Sequence, residues 1–303
     1  MSTRFVPRRS SAESRQIRWT RHAVQTSVVV AVAGVVWKHA LAGSGSTSAE
    51  AFCPFGGFET AWTWLTTGRT VAHVHPANLV LAGIVVVLAL AARGMFCGWV
   101  CPLGSVQEAI HAGADRVISR VPALRRLRRR TASNVWLRRV DRVLRYGRYV
   151  VLAWAIGGAA LTGAMVFRGL DPWIALLSVV EFELSTAFVV MLGVLLLSVV
   201  VERPFCRYAC PLGALQGLVG LVSPLAVQRD ASSCLGCDLC NQACPMGIAV
   251  NQTTRVTDTA CIGCLECVAA CPSREALALT VSLPPRVPVE VGISTRDLEG
   301  ARS

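Results

Sequence analysis

Two cysteine runs near the carboxyl end decide the fold of this chain: "CLGCDLCNQACP" at residues 234–245 and "CIGCLECVAACP" at residues 261–272. Each has the spacing C-x2-C-x2-C-x3-C-P, with a glycine directly before the second cysteine. Three thiolates on one short loop can bind three irons of one cubane, while the fourth, on the next helical turn, reaches a second cubane. Glycine fits beside such a group because it lacks a Cβ and lets the backbone approach inorganic sulfide.

The spacing therefore predicts two [4Fe–4S] clusters in a small C-terminal α+β domain of the bacterial ferredoxin type, over residues 229–280. Structural zinc sites use C-x2-C pairs separated by longer gaps, and disulfides fit poorly with the cytoplasmic position argued below. The expected ligands of cluster 1 are Cys234, Cys237, Cys240 and Cys271, and those of cluster 2 are Cys261, Cys264, Cys267 and Cys244.

A second cysteine pattern occurs twice, as "FCGWVCPLG" at residues 96–104 and "FCRYACPLG" at residues 205–213. Each copy follows an aliphatic run, and a spacing of i, i+4 puts two thiolates on one helix face. If the copies pack as pseudo-symmetric repeats, four thiolates converge: Cys97, Cys101, Cys206 and Cys210. Three interpretations stay open, namely a further iron–sulfur or metal centre, a redox-active thiol site, and a structural turn that docks the ferredoxin domain.

The composition is more apolar than that of an ordinary soluble domain, with 53% hydrophobic and 16% charged residues and a mean hydropathy of +0.51. Four apolar stretches approach or reach the ~20 residues that cross a bilayer as a helix: residues 22–41, 77–92, 149–167 and 186–201. We therefore expect an α-helical membrane protein with four transmembrane helices in two pseudo-repeated hairpins, followed by the ferredoxin domain.

Arginine residues predict the orientation. They crowd the basic N-terminus, residues 1–21, and an arginine-rich loop, residues 104–148, within the transmembrane domain of residues 22–228. Because cytoplasmic loops carry excess positive charge, we expect a multi-pass protein of the bacterial inner membrane. Both termini, the ferredoxin domain and a flexible tail over residues 281–303 would then be cytoplasmic. The first stretch could also be a cleaved signal peptide, but Lys38 and His39 interrupt the approach to a cleavage site.

The net charge of +12 has two interpretations. Attraction to membrane lipids accounts for the basic loop. Nucleic acid is not an expected partner, because no aromatic interleaving or nucleic-acid-binding fold accompanies the arginines.

Cys53 stands apart in "FCPFGGFETAW", residues 52–62. It could contact a partner's cofactor, bind a metal with His73 or His75, or be inert. The C-P-F-G-G sequence is similar to the other cysteine motifs, which favours a redox or docking role.

Over roughly residues 20–280 the chain resembles the NapH/NosR-type family of polytopic 4Fe–4S membrane proteins. The resemblance rests on the four apolar stretches, the two C-P-L-G motifs, the "CPFGGFE" element and the tandem cysteine runs. It implies electron transfer between the quinone pool or a cytoplasmic donor and an exported or membrane redox partner, such as a flavin-binding protein, a haem protein or a reductase subunit. It also implies, as an alternative, support of metalloenzyme assembly.

The expected function is thus that of an electron-transfer subunit, with quinone as a possible substrate. No flavin-binding domain, molybdenum motif or C-x-x-C-H haem motif occurs in the sequence, so the chain is not expected to be a terminal reductase. A maturation or regulatory factor and a redox sensor are the alternatives. The direction of electron flow is left open, because cluster potentials depend on hydrogen bonds and solvent exposure.

Overall fold

The computed structural model describes residues 9–42, 54–68, 76–124, 126, 135–172, 175 and 185–282. The α-helices are α1 (Ser11–Ala42), α2 (Pro54–Thr67), α3 (Pro76–Ala92), α4 (Pro102–Arg120), α5 (Val135–Leu144), α6 (Gly147–Thr162), α7 (Thr186–Ser198), α8 (Pro204–Tyr208), α9 (Pro211–Val219), α10 (Leu239–Gln242) and α11 (Glu266–Ala270). The strands are β1 (Leu225–Arg229) and β2 (Leu277–Val281). Cys53, His73 and His75 lie outside the described residues, as do residues 283–303.

The two C-P-L-G motifs occupy equivalent places in a repeated helix–turn–helix unit. Cys101 precedes α4 and Cys210 precedes α9, each with an extended backbone and with proline at the first helical position. Proline suits that position because its missing N–H has no partner in the first turn of a helix. The amide of each cysteine donates to a phenylalanine carbonyl, from Cys101 to Phe96 and from Cys210 to Phe205, at 2.9 Å in both.

The repeats differ by one residue just before the cysteines. In the first, residues Phe96–Val100 form a π-helical turn, whereas α8 occupies this place in the second. An arginine with positive φ precedes each of these elements, Arg93 (φ 56°) in the first copy and Arg203 (φ 51°) in the second. Arg93 stands four residues before Cys97 and Arg203 three before Cys206. The extra residue lies between the arginine and the shared phenylalanine, Phe96 or Phe205, so the two copies have the same length from that phenylalanine onward.

The C-terminal region closes on a two-stranded antiparallel sheet, in which Leu225 pairs with Val281 and Arg229 with Leu277. Between the strands lie the two cysteine runs, α10 and α11. Buried Met246, Val250 and Leu277 pack in one core with several of the cysteines. The strands therefore bring the two ends of this region together around the cysteine loops.

The predicted fold of four transmembrane helices is wrong for the part of the chain that the structure describes. The apolar stretches are helical, but no described helix combines the length and the apolarity needed to cross a bilayer. With 17, 16 and 13 residues, α3, α6 and α7 reach about 26, 24 and 20 Å at 1.5 Å per residue. The hydrocarbon core measures about 30 Å. Helix α1 is longer, but its first half is polar and rich in arginine.

The predicted location, a multi-pass protein of the inner membrane with cytoplasmic termini, is contradicted by the same finding. The arginine-rich segment also differs from the expected loop. Residues 104–148 contain most of α4, all of α5 and the start of α6. Asp141 lies in the last turn of α5 and accepts hydrogen bonds from Arg145, Arg207 and Tyr208. Within this segment, Arg145 therefore pairs with a carboxylate, and Arg148 is buried.

Candidate functional site: two cysteine cavities and a buried four-cysteine cluster

Two cavities in the C-terminal region are each lined by four cysteines. The first is lined by Cys234, Cys237, Cys240 and Cys271. The second is lined by Cys244, Cys261, Cys264 and Cys267 together with apolar residues. Each set combines three cysteines of one run with the last cysteine of the other, which is the exchange that the spacing predicts.

The two loops that carry these cysteines have matching backbone conformations. Gly236 and Asp238 have positive φ in the first loop, as Gly263 and Leu265 do in the second. The Gly236 amide lowers the pKa of Cys234 by a hydrogen bond to its sulfur. Leu265 and Asp238 adopt this left-handed conformation at a cost in free energy, because residues other than glycine rarely occupy it. The sequence shows the glycines but gives no signal for these two residues.

The donor set fits iron–sulfur clusters. All four ligands of each cavity are soft sulfur donors, and the adjacent glycine leaves room for the backbone to approach. Burial raises the pKa of Cys264 to about 11, although the charge of Arg21 opposes the shift. Because a metal binds thiolates, cluster loading must displace protons. Among the described residues, no three cysteine, histidine or acidic side chains meet at the spacing needed for a single metal ion.

The four cysteines of the C-P-L-G motifs, which we call the four-cysteine cluster, converge in the protein interior. Cys97 and Cys206 are buried, and Cys101 and Cys210 are partly buried. Burial raises the pKa of each of the four thiols. Electrostatic interactions join every pair within this set. The pairing expected from the internal repeat is therefore present in the structure, while the cofactor of this cluster stays a prediction.

Two glutamines connect the copies by reciprocal hydrogen bonds. The Cys97 thiol donates to Gln216 Oε1 at 3.0 Å, and Gln107 Nε2 donates to the Cys206 sulfur at 3.8 Å. Each glutamine therefore serves the first cysteine of the opposite copy. Gln107 and Gln216 are both almost fully buried. Sequence reasoning missed this role, although both glutamines lie ten residues after the first cysteine of their own copy, 97 to 107 and 206 to 216.

The first C-P-L-G motif packs directly on the loop that carries Cys261 and Cys264. A Cβ placed on Gly98 would lie 2.3 Å from the Ile262 carbonyl oxygen, and one on Gly94 would lie 2.6 Å from the Cys261 carbonyl oxygen. Trp99 Nε1 donates to the Gly263 carbonyl at 3.0 Å. Absence of a side chain at the two glycines thus permits backbone contact between the four-cysteine cluster and the second cysteine cavity.

A buried network of ion pairs and hydrogen bonds also stabilises this contact. Arg21 and Arg203 are fully buried, and both bind the Glu108 carboxylate. Arg203 Nη1 also donates to the Cys97 carbonyl at 2.7 Å, and Arg21 Nε to the Gly98 carbonyl at 3.1 Å. Burial alone would raise the pKa of Glu108, but the charges of Arg203 and Arg21 hold it below its ordinary value. Such a network positions groups well and is costly to break.

Comparison with known protein families agrees with these cysteine sites. The family described as "4Fe-4S binding domain" matches residues 74–130 and 185–227, which contain the two C-P-L-G motifs. The family described as "4Fe-4S dicluster domain" matches residues 226–272, which contain the two cysteine runs.

Individual relatives extend this similarity. "Putative electron transport protein YccM" of Escherichia coli K12 is 31% identical over 214 residues, which are 68% of this chain and 56% of that protein. "Ferredoxin-type protein NapH" of the same organism is 31% identical over 188 residues, 60% of this chain and 59% of that protein. "Methylamine utilization ferredoxin-type protein MauN" of Methylorubrum extorquens is 30% identical over 176 residues, 56% of this chain and 54% of that protein.

The matched region spans little more than half the length of these relatives. No solved structure matches the chain. The similarities support an iron–sulfur role in electron transfer, and the two matched domains with their cysteines make the chain an iron–sulfur protein. The chain belongs to the NapH-type family of 4Fe–4S ferredoxin proteins.

Proposed function

We propose that the chain passes electrons between its ferredoxin region, residues 229–280, and the four-cysteine cluster, as part of a route between a quinol or cytoplasmic donor and a partner redox protein. The observation that carries the proposal is the backbone contact of Gly94 and Gly98 with residues 261–264. Electron transfer needs short, rigid separations between centres, and two backbones in contact provide them.

The ligand assignment of the ferredoxin region is part of the proposal. One cluster is held by Cys234, Cys237, Cys240 and Cys271, and the other by Cys261, Cys264, Cys267 and Cys244. The lining of the two cavities supports both sets. When bound, a [4Fe–4S] cluster accepts and releases one electron at a potential set by hydrogen bonds and exposure.

Exposure gives the two clusters different roles. Cys237 is exposed, and its neighbours Leu235 and Leu239 expose apolar side chains. Cys264 is buried beside the four-cysteine cluster. The first cavity thus suits exchange with an external protein, and the second suits transfer within the chain.

The four-cysteine cluster is proposed as a third iron–sulfur centre. Its convergent thiols and the 4Fe–4S family that covers both motifs support this assignment. Gln107 and Gln216 orient Cys206 and Cys97, and Arg203 supplies a buried positive charge next to both. That charge stabilises the thiolate forms needed for metal binding. Redox chemistry of the bare thiols is the alternative outcome of the test.

Anaerobic reduction kinetics test the proposed route. The loaded full chain is mixed with a water-soluble quinol in one arm and with a reduced flavodoxin in the other, and its reduction is followed optically and by EPR. We expect Gln216→Leu, which removes the hydrogen-bond acceptor of Cys97, to slow reduction of the centre farther from whichever donor reduces the chain. Leu235→Ala, at an exposed apolar side chain, should slow reduction only in the flavodoxin arm. Reduction by neither donor, or equal rates for both variants and the unaltered chain in both arms, contradicts the proposal.

A further inference from the structure

A buried carboxyl group lies on α2, the helix whose Phe55 packs in the same core as Cys101 and Cys210. Glu59 lies on α2 with none of its surface exposed. Among the described residues, neither of its carboxylate oxygens has a hydrogen-bond partner, and the same holds for the Thr63 hydroxyl one turn later. A buried ionised carboxylate without such bonds is costly, whereas the protonated form is cheaper to bury.

The charged groups around Glu59 also favour its protonated form. Helix α3 contributes no titratable residue, and α6 contributes only Arg148 and Tyr149, which bond to the ferredoxin region. Buried Asp171 follows the turn after α6, where Arg168 is exposed. Burial first, and then the like charge of Asp171, raise the pKa of Glu59 to about 8.

The same element reaches the four-cysteine cluster. Phe55, one turn before Glu59 on α2, is buried in a core against which Cys101 and Cys210 pack. The charge of Asp171 also acts on Cys101, as one of the causes that raise the pKa of that thiol. The charge of Asp171 thus acts on both Glu59 and Cys101, and the helix that carries Glu59 packs in the same core as Cys101 and Cys210.

We propose that Glu59 is a protonation site coupled to reduction of the four-cysteine cluster. When an electron arrives, the Glu59 carboxylate takes one proton from water, and the proton returns to water when the electron leaves. One added negative charge is thus balanced by one added positive charge, and no bond other than O–H forms or breaks. This inference rests on the proposed third redox centre.

The test is the pH dependence of the midpoint potential of that centre, with an infrared difference spectrum between its oxidised and reduced forms. Above about pH 8, where Glu59 of the oxidised protein is ionised, the potential should fall by about 59 mV per pH unit, the tenfold change in proton activity for one electron. Reduction should also add the carbonyl band of a protonated carboxyl. Glu59→Gln should abolish both the slope and the band, and Glu59→Asp should retain them.

Two further variants separate the proposal from a general effect of charge or folding. Asp171→Asn removes the like charge, so the slope should begin at a lower pH. Glu275→Gln, an exposed carboxyl elsewhere, should change neither the slope nor the band. An unchanged slope in Glu59→Gln, or no carboxyl band in the unaltered protein, overturns the proton site while electron transfer stands. Absence of any redox-active group at the four cysteines overturns the third centre and this inference together.

Discussion

Replacement of Gly98 by alanine tests the contact between the four-cysteine cluster and the second cysteine cavity. The added Cβ would lie 2.3 Å from the Ile262 carbonyl oxygen and 3.3 Å from the Cα and N of Cys264. All three neighbours are backbone atoms, so no side-chain rotation relieves the clash. Ordinary carbon–oxygen contacts begin near 3.3 Å, which means that the two backbones must separate by about 1 Å.

Overpacking of this kind costs about 1–3 kcal/mol. We therefore expect Gly98→Ala to lower the free energy of unfolding of the loaded chain by that amount, measured from the urea midpoint under anaerobic conditions. Hydrogen exchange should be faster at residues 261–264, and electron transfer across the contact should slow. The change in exchange should be largest on this loop, because it is the partner that must move.

Gly113→Ala is the matched control. Gly113 lies in α4, and a Cβ there meets no atom within 4 Å. The same substitution should raise stability by about 0.5–1 kcal/mol, because alanine costs less backbone entropy in a helix. If Gly98→Ala were as stable as Gly113→Ala, with unchanged exchange at residues 261–264, the reasoning about backbone contact would be refuted.

Three other substitutions probe the surrounding structure. Gly217→Ala would place a Cβ 2.1 Å from the Thr259 carbonyl oxygen and should lower the urea midpoint by an amount equivalent to about 1–3 kcal/mol. Glu108→Gln removes the carboxylate that pairs with buried Arg203, while Arg21 keeps its ion pair with Glu266 at 2.8 Å, and should cost about 3–5 kcal/mol. Because the folded-state pKa of Glu108 is depressed, its contribution should be present above its ordinary pKa and lost as the pH falls through the folded value, measured as midpoints against pH. Asp141→Asn weakens the hydrogen bond from Arg207, so the free energy of unfolding should fall by about 1–2 kcal/mol, as for a partly buried charged hydrogen bond, and the thermal midpoint should fall with it.

Controls for these variants come from the same chain. Gly193→Ala in α7 adds a Cβ to open space and should be neutral or stabilising, so an equal loss there would discredit the clash at Gly217. Glu275→Gln removes an exposed charge and should have little effect on the pH profile. A profile of Glu108→Gln identical to that of the unaltered chain would show that this carboxylate contributes nothing. Equal thermal midpoints for Asp141→Asn and the unaltered chain would show that the Asp141 carboxylate contributes nothing to stability.

The cysteine cavities could be predicted from the sequence because cluster ligands follow a local spacing rule. Three cysteines within seven residues must share a loop, and the fourth must reach beyond it. The internal repeat likewise predicted that Cys97 and Cys206 would approach each other. The structure brings together the four cysteines of each expected set and the four cysteines of the C-P-L-G motifs, while the binding of iron by these residues stays a prediction.

The contacts between these sites could not be predicted, because their partners are distant in sequence. Glu108 meets Arg203 across 95 positions, and Gln216 meets Cys97 across 119. Local pattern does not specify which buried arginine pairs with which carboxylate. The glycine at 98 was a usable signal, since it lies between two cysteines, yet its partner loop was not evident.

The membrane prediction failed because hydropathy reports apolar content and not helix length. Residues 186–201 look continuous in sequence, but α7 ends at Ser198 and is followed by the turn that leads to Arg203. Residues 149–167 are similarly interrupted by the helix end at Gly163, where φ is 67°. These helices therefore end, at a glycine or at a turn, before they are long enough to cross a bilayer.

The central claim, that electrons pass between two ferredoxin clusters and a third centre at the four cysteines, is tested most directly by iron and acid-labile sulfide per chain in anaerobically purified protein. The account predicts about twelve irons, since three four-iron clusters are loaded. Cys97→Ala combined with Cys206→Ala should lower this to about eight, while Met191→Leu, in a separate core, should leave it unchanged. About eight irons in the unaltered chain, with no loss in the double variant, would contradict the claim.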